Sequence, residues 1–327
     1  ANATFSGQLS LLSGNYPKGI TDPEFNDTYM REVEKIHHLD FWLPSYLQEK
    51  GYTTLGFEFF GSIKERGFDF FEMTDKPTRD RNYEKYMKRN AIKKKILVIT
   101  PMWLYKFFKR FMQKQQYQPY LCSEEVMNRA LLKLKETKEP FFLFFHFLDT
   151  HWPFGAENCK PSGKKDFSEH LKKIQNPAQK EFVEKMFAKS EMFDMHSIQD
   201  IINKYDASIE NVDSQLGRLY NYLKEQNIWE NTIFIILGDH GSRFAEHNLF
   251  FNSYGLYDEI ISTPLIMKIP DFEHKELNEL SQNTDIVPTL LDIFNDDKLK
   301  LFKNKKNPRG ISLLPMIKNN IAVRKEV

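Results

Sequence analysis

The apolar positions of this chain come in two patterns. Four stretches are continuously apolar and short: 53–60 (TTLGFEFF), 141–148 (FFLFFHFL), 232–237 (TIFIIL) and 264–269 (PLIMKI). Unbroken apolar runs of this length predict strands covered on both faces, as in a parallel sheet. Between them the period changes. Over 206–226, Ile209, Val212, Leu216, Leu219 and Leu223 are spaced 3, 4, 3 and 4, which predicts an amphipathic helix entering the third strand. A second helix is predicted over 287–294, with Pro288 tolerated in its first turn. Near the start, Leu9, Leu11 and Leu12 precede Gly14, the pattern of a short helix closed by a glycine, with Thr4 or Ser6 at its beginning. Strands alternating with helices predict a doubly wound α/β fold, mostly parallel, with helices on both faces.

Composition narrows the classes. The chain has 327 residues, 41% hydrophobic and 28% charged, a globular balance with ample material for a core. Lys plus Arg number 46 and Asp plus Glu 45, a net charge of +1 that argues against a nucleic-acid partner or broad binding to anionic membrane. No uncharged apolar run approaches the roughly 18 residues of a membrane span. Two cysteines, Cys122 and Cys159, exclude a disulfide framework and leave one bridge open. Residues 76–95 are rich in Lys, Arg and Tyr, and the segment from 158 to about 200 opens with a stretch rich in Lys, Ser and Pro. Both read as surface insertions. The chain begins Ala-Asn-Ala-Thr, without Met or a signal peptide, and reads as a partial chain.

The chemistry concentrates where predicted strands end. The third strand runs into Gly238-Asp239-His240-Gly241. Ligands gather outside the carboxyl ends of strands in open α/β sheets. Asp239 and His240 offer one oxygen and one nitrogen there, and an imidazole ligand favours zinc or manganese over calcium. The second strand runs into Asp149-Thr150-His151, placing His151 where the sheet opens; His146, inside the strand, reads as a core histidine. A hydroxyl at the start of the first helix, Thr4 or Ser6, would meet the positive end of a helix dipole.

These segments, in this order, resemble the alkaline phosphatase and sulfatase superfamily. Leu12-Ser13-Gly14-Asn15-Tyr16-Pro17 is similar to the Leu-Thr-Gly and Tyr-Pro signature that follows the nucleophile, and counting back from Gly14 puts Thr4 at the nucleophile position. Asp149 to Phe154 resembles the family's His-x-Pro element, and 206–218 the helix before the metal strand. Asp239 to Phe244 (DHGSRF), Ala245 to Leu249 and Tyr257-Asp258-Glu259 resemble its long metal-site signature. Asp285 to Asp292 and Gly310 to Pro315 are similar to two closing elements. Within the superfamily the chain resembles the uncharacterised sulfatase-like proteins secreted by nematodes and insects.

The resemblance implies a single α/β domain over 1–327, with small C-terminal elements and without the first strand that carries an acidic metal ligand. It implies a divalent-metal enzyme in which Asp239, His240 and Thr4 hold the metal and Thr4 attacks phosphorus or sulfur. His151 and His247 would bind the anion or protonate the leaving oxygen, and Arg243 would join His151 in contacting an anionic ester, on glycan or lipid for instance. It also implies export from the cell, with Asn26 (Asn-Asp-Thr) the favoured glycosylation site; a glycan at Asn2 would block Thr4. Three departures qualify this. The Cys-x-Pro-x-Arg frame of formylglycine sulfatases reads Thr4-Phe5-Ser6-Gly7-Gln8, the family lysine before the Tyr-Glu element is missing, and a family histidine is Asn283. They argue against formylglycine chemistry and leave a second expectation, a catalytically inactive secreted binding protein on the same scaffold.

Overall fold

A computed structural model describes residues 4–15, 41–58, 66–73, 122–151, 154, 180, 198–248, 256–303 and 310–324, with backbone alone at 4–6, 73, 248 and 303. The helices are α1 (Thr4–Ser13), α2 (Leu43–Glu49), α3 (Ser123–Leu134), α4 (Ile198–Glu225), α5 (Asp258–Ile261), α6 (Ile286–Ile293) and α7 (Leu314–Asn319). The strands are β1 (Thr53–Glu58), β2 (Phe70–Met73), β3 (Phe141–Phe145), β4 (Phe234–Leu237) and β5 (Leu265–Lys268).

Strands β2, β1 and β3 form a parallel sheet in that order, with Phe57 opposite Phe145. Side chains alternate across β3, and this alternation builds two cores. Phe142 and Phe144 pack with Leu9 and Leu12 of α1, Leu43 and Leu47 of α2, and Val287 and Leu291 of α6. Phe141, Leu143 and Phe145 pack with Val126 and Met127 of α3 and Leu219 and Leu223 of α4. Helices therefore cover both faces, and the doubly wound expectation holds for this sheet.

The fourth predicted strand departs from it. β5 pairs antiparallel with β4, Phe234 opposite Lys268. The connection between them contributes only the four-residue α5 and a 3₁₀ turn at Glu246–Asn248 among the described residues. A parallel return is usually built on a longer crossover helix.

Helix ends follow local chemistry. α1 stops where Gly14 takes φ +67° and its N–H donates to the Ser10 carbonyl at 2.8 Å; a Cβ there would stand 2.5 Å from the Phe302 ring. α4 begins at Ile198, eight residues before the predicted start, and so takes in the end of the second expected insertion. Its stripe also differs: Ile209 is exposed, while Ser208 and Gln215 are buried on the packed side. Ser208 tolerates burial because its hydroxyl donates to the Lys204 carbonyl.

The rest of the 158–200 segment apart from Lys180, all of 76–95, and Cys159, Asn2 and Asn26 lie outside the described residues. Cys122 is an exposed free thiol. Among the described residues no helix is long and apolar enough to cross a membrane.

Candidate active site at the carboxyl ends of the strands

Glu58 ends β1, His146 follows β3, and Asp239 follows β4 by two residues. The parallel register aligns the first two: the His146 N–H donates to the Phe57 carbonyl at 3.0 Å. A cavity of about 60 Å³ opens beside them, lined by His146, Thr150, His151, Tyr205, Asp239, His240 and Ser242, with Phe147 and Leu148. The fold thus brings His151, Asp239 and His240 together from segments far apart in sequence.

The Asp239 carboxylate is held at one oxygen and open at the other. Oδ1 accepts the His240 N–H at 2.9 Å, whereas Oδ2 is buried with no hydrogen-bond partner among the described residues. That oxygen lies 3.7 Å from His240 Nε2. His240 Nδ1 lies 2.9 Å from the Gly241 carbonyl, so in the neutral imidazole Nδ1 carries the proton and Nε2 the lone pair. Two lone-pair atoms facing each other cannot hydrogen-bond. A shared cation, with ligand bonds of about 2 Å, satisfies both, so these residues fit a divalent metal. They supply two ligands; among the described residues no group of three His, Cys, Asp or Glu converges on one ion.

Close packing fixes this pair. A Cβ on Gly7 would meet Asp239 Cβ at 3.1 Å, so the first turns of α1 rest directly on the carboxylate's backbone. Thr4 is the first residue of α1; its side chain lies outside the described atoms. Gly241 passes so near the Glu259 carbonyl that a Cβ would lie 2.0 Å from that oxygen. Asn283 Nδ2 donates to the Gly238 carbonyl at 3.2 Å and braces the end of β4 from the C-terminal elements. Those are knotted by the fully buried Asp285, which accepts the N–H groups of Gln282 and Ile311, each at 2.8 Å, and pairs with Arg324.

The loop carrying His151 is anchored by the buried Asp149. Its carboxylate accepts the Ser123 N–H at 3.0 Å, the Ser123 hydroxyl at 2.8 Å and Asn211 Nδ2 at 2.7 Å, tying the loop to the start of α3 and to α4. Phe154, Tyr205 and Phe244 form an aromatic wall alongside; burial raises the Tyr205 phenol's pKa and the nearby Asp206 adds to it.

Arg243 and His247 lie against Tyr257 rather than on the cavity wall. Arg243 is fully buried, its guanidinium 4.9 Å from the centre of the Tyr257 ring. His247 is half exposed, stacks on that same ring at 4.1 Å and has Nε2 3.0 Å from Glu259 Oε1, without hydrogen-bond alignment. Neither lines the cavity. The cause is local: Ala245 and His247 adopt positive φ, +91° and +54°, and turn the loop onto Tyr257.

Sequence reasoning missed three residues here. Glu58 is wholly buried, with Oε1 3.2 Å from His146 Nδ1 and 3.4 Å from Gln8 Nε2. A lone acid inside the apolar run 53–60 was the available signal. His146 is partnered, as a core histidine would be, yet it lines the cavity. Tyr205 gave no signal beyond its place on a helix.

A parallel sheet covered by helices on both faces, with an Asp-His couple directly after β4, fits the alkaline phosphatase architecture. Two solved structures share it. A protein in complex with its substrate D-glucosamine-2-N,6-O-disulfate has a TM-score of 0.58 at 17% identity, covering 99% of this chain and 72% of that one. The phosphonate monoester hydrolase of Agrobacterium radiobacter gives 0.58 at 17%, with 99% and 69% covered.

The family model described as Sulfatase matches residues 3–296, and the chain belongs to that family. Among curated relatives, the uncharacterized sulfatase YidJ of Escherichia coli is 30% identical over 112 residues, 33% of this chain and 22% of that protein. An arylsulfatase of Clostridium perfringens is 27% identical over 183 residues, 51% and 37% of the two chains. A putative extracellular sulfatase Sulf-1 homolog of Caenorhabditis elegans is 26% identical over 286 residues, 80% and 36% of the two. The matched region thus spans well under half the length of these relatives.

Proposed function

We propose that this chain carries the catalytic centre of a metal-dependent hydrolase or transferase acting on sulfate or phosphate esters. The observation that carries the reading is the buried Asp239 Oδ2, without a partner among the described residues and 3.7 Å from His240 Nε2 at the edge of the cavity. Asp239 and His240 would hold the cation, zinc or manganese by donor type. A metal bound there would lower the pKa of an adjacent hydroxyl and neutralise ester oxygens.

The chain's own residues do the rest. Thr4 begins the helix whose Gly7 rests on Asp239, which supports Thr4 as the nucleophile. Its hydroxyl attacks phosphorus or sulfur. His151, on the loop pinned by Asp149, binds the anionic ester. The Arg243–Tyr257–His247 stack shapes the loop that follows His240. A threonine at the nucleophile position cannot become formylglycine, which favours direct attack by the hydroxyl.

The test is turnover of an aryl phosphate and an aryl sulfate by the full-length protein with zinc or manganese. Thr4→Ala should cut turnover by roughly 10⁴-fold or more, as removing a nucleophile does, with metal content unchanged. Asp239→Asn should lose both metal and turnover. Wild-type rates in Thr4→Ala would remove the nucleophile assignment, and full metal content in Asp239→Asn would remove the ligand assignment.

The same reading places the protein in the secretory pathway or outside the cell. The Asn26 sequon and the likeness to the C. elegans extracellular Sulf-1 homolog support it. Expression in a secreting eukaryotic cell should give a glycosidase-sensitive mass shift that Asn26→Gln abolishes; an unshifted protein retained in the cytoplasm would count against export.

A further inference from the structure

We infer that Glu58 and His146 form a proton-donating pair for the leaving oxygen of the ester, an inference that rests on the ester-transfer reading above. Glu58 is completely buried at the end of β1. A buried carboxylate needs compensation, and it stands 3.2 Å from His146 Nδ1. Gln8 Nε2, 3.4 Å from the same oxygen, ties the pair to α1, the helix that begins at Thr4. The pairing is set by the sheet, because β1 and β3 are parallel neighbours and His146 follows Phe145, the partner of Phe57.

A carboxylate on Nδ1 fixes the ring's orientation and leaves Nε2 as the nitrogen that exchanges a proton. His146 lines the cavity that Asp239 and His240 also line. It is therefore placed to serve a substrate lying against those two ligands. In the step, the Thr4 hydroxyl gives its proton to solvent as its oxygen forms a bond to phosphorus or sulfur, while the bond to the leaving oxygen breaks. The leaving oxygen keeps that electron pair and takes the proton from His146 Nε2. The imidazole is left neutral, Glu58 remains a carboxylate, and solvent returns the proton. Glu58 and Gln8 are positioning residues, since they act through His146.

Leaving-group dependence tests this, because a donor matters most when the departing oxygen is basic. The full-length protein is assayed with phenyl and 2,4-dinitrophenyl esters of phosphate and of sulfate, and thermal midpoints confirm folding. His146→Asn should slow the phenyl ester by roughly a hundredfold or more, the usual contribution of a general acid, and the dinitrophenyl ester far less. Glu58→Gln should show the same asymmetry to a smaller degree, and it stands as the independent variant if His146→Asn fails to fold. Equal losses on both esters, or no loss on either, with wild-type turnover intact, would overturn the inference alone. Absence of wild-type turnover on every ester would overturn the ester-transfer reading and the inference with it.

Discussion

At Asp239 the decisive feature is the missing partner. Nature rarely buries a carboxylate oxygen without a donor, and the cost is of the order of 1–3 kcal/mol or more for a charged group. The oxygen is placed by Gly7, whose missing side chain lets α1 sit against the Asp239 Cβ. Gly7→Val would force branched carbon into a 3.1 Å gap between helix and strand end. We expect metal affinity to fall about tenfold or more, in line with changes beside metal ligands, while the fold survives. Equilibrium dialysis with zinc measures this, and unchanged affinity would show that α1 does not set the ligand. Legibility was uneven at this scale. Asp239 and His240 could be read because an apolar strand ran straight into them between glycines. The Glu58–His146 pair could not, because its members are 88 positions apart and only strand register joins them.

Among the elements, the connection of α2 to the end of α6 has its own electrostatics. Lys50 Nζ lies 2.7 Å from Asp296 Oδ2, and Oδ1 accepts the Lys298 N–H at 2.8 Å. The Lys50 hydrogen bond foremost, then the Lys298 N–H, pulls the Asp296 carboxyl down to about 2. A carboxyl depressed in the folded state stabilises it above the unfolded pKa and stops doing so as pH falls through the folded value. The contribution of Asp296 should therefore be whole above about pH 4 and fade as pH drops toward about 2. Thermal midpoints measured across that range should fall more steeply in the wild type than in Asp296→Asn; parallel curves would remove the group from the acid response. Some element boundaries needed the third dimension. β2 is four residues long and too brief for a periodic signal, and it becomes a strand by pairing Phe70 and Phe71 with Leu55 and Gly56. The early start of α4 was hidden for a related reason: in its added first turns the buried side holds Asp200 beside Ile201, which breaks the apolar spacing.

For the whole molecule, a cation held by Asp239 and His240 as proposed would link ligand binding to stability. A metal that binds only the folded state at a hundred times its Kd adds about 2.7 kcal/mol, several degrees in the thermal midpoint of a chain this size. Zinc or manganese should raise the wild-type midpoint, a chelator should reverse the rise, and Asp239→Asn should respond to neither. A midpoint in Asp239→Asn that rises as in the wild type would locate the binding elsewhere. The site's other braces, Asn283 on Gly238 and the Asp285 knot, come from the C-terminal elements, so truncating α7 should weaken the same response.

The order of apolar runs was enough to determine the α/β class and the helices α1 and α6, because burial on both faces of a parallel strand leaves a continuous hydrophobic signature that neighbours in space do not alter. The strand-end positions of Asp239, His240 and His151 were readable for the same reason, since a polar residue directly after such a run must emerge at the sheet's edge. Tertiary structure alone decided that β5 returns antiparallel, that Arg243 turns inward under Tyr257 while His247 stacks outside the cavity, and that Glu58 meets His146. Each of these depends on distances between segments remote in sequence, and a local pattern carries no information about which remote partner will satisfy a buried charge.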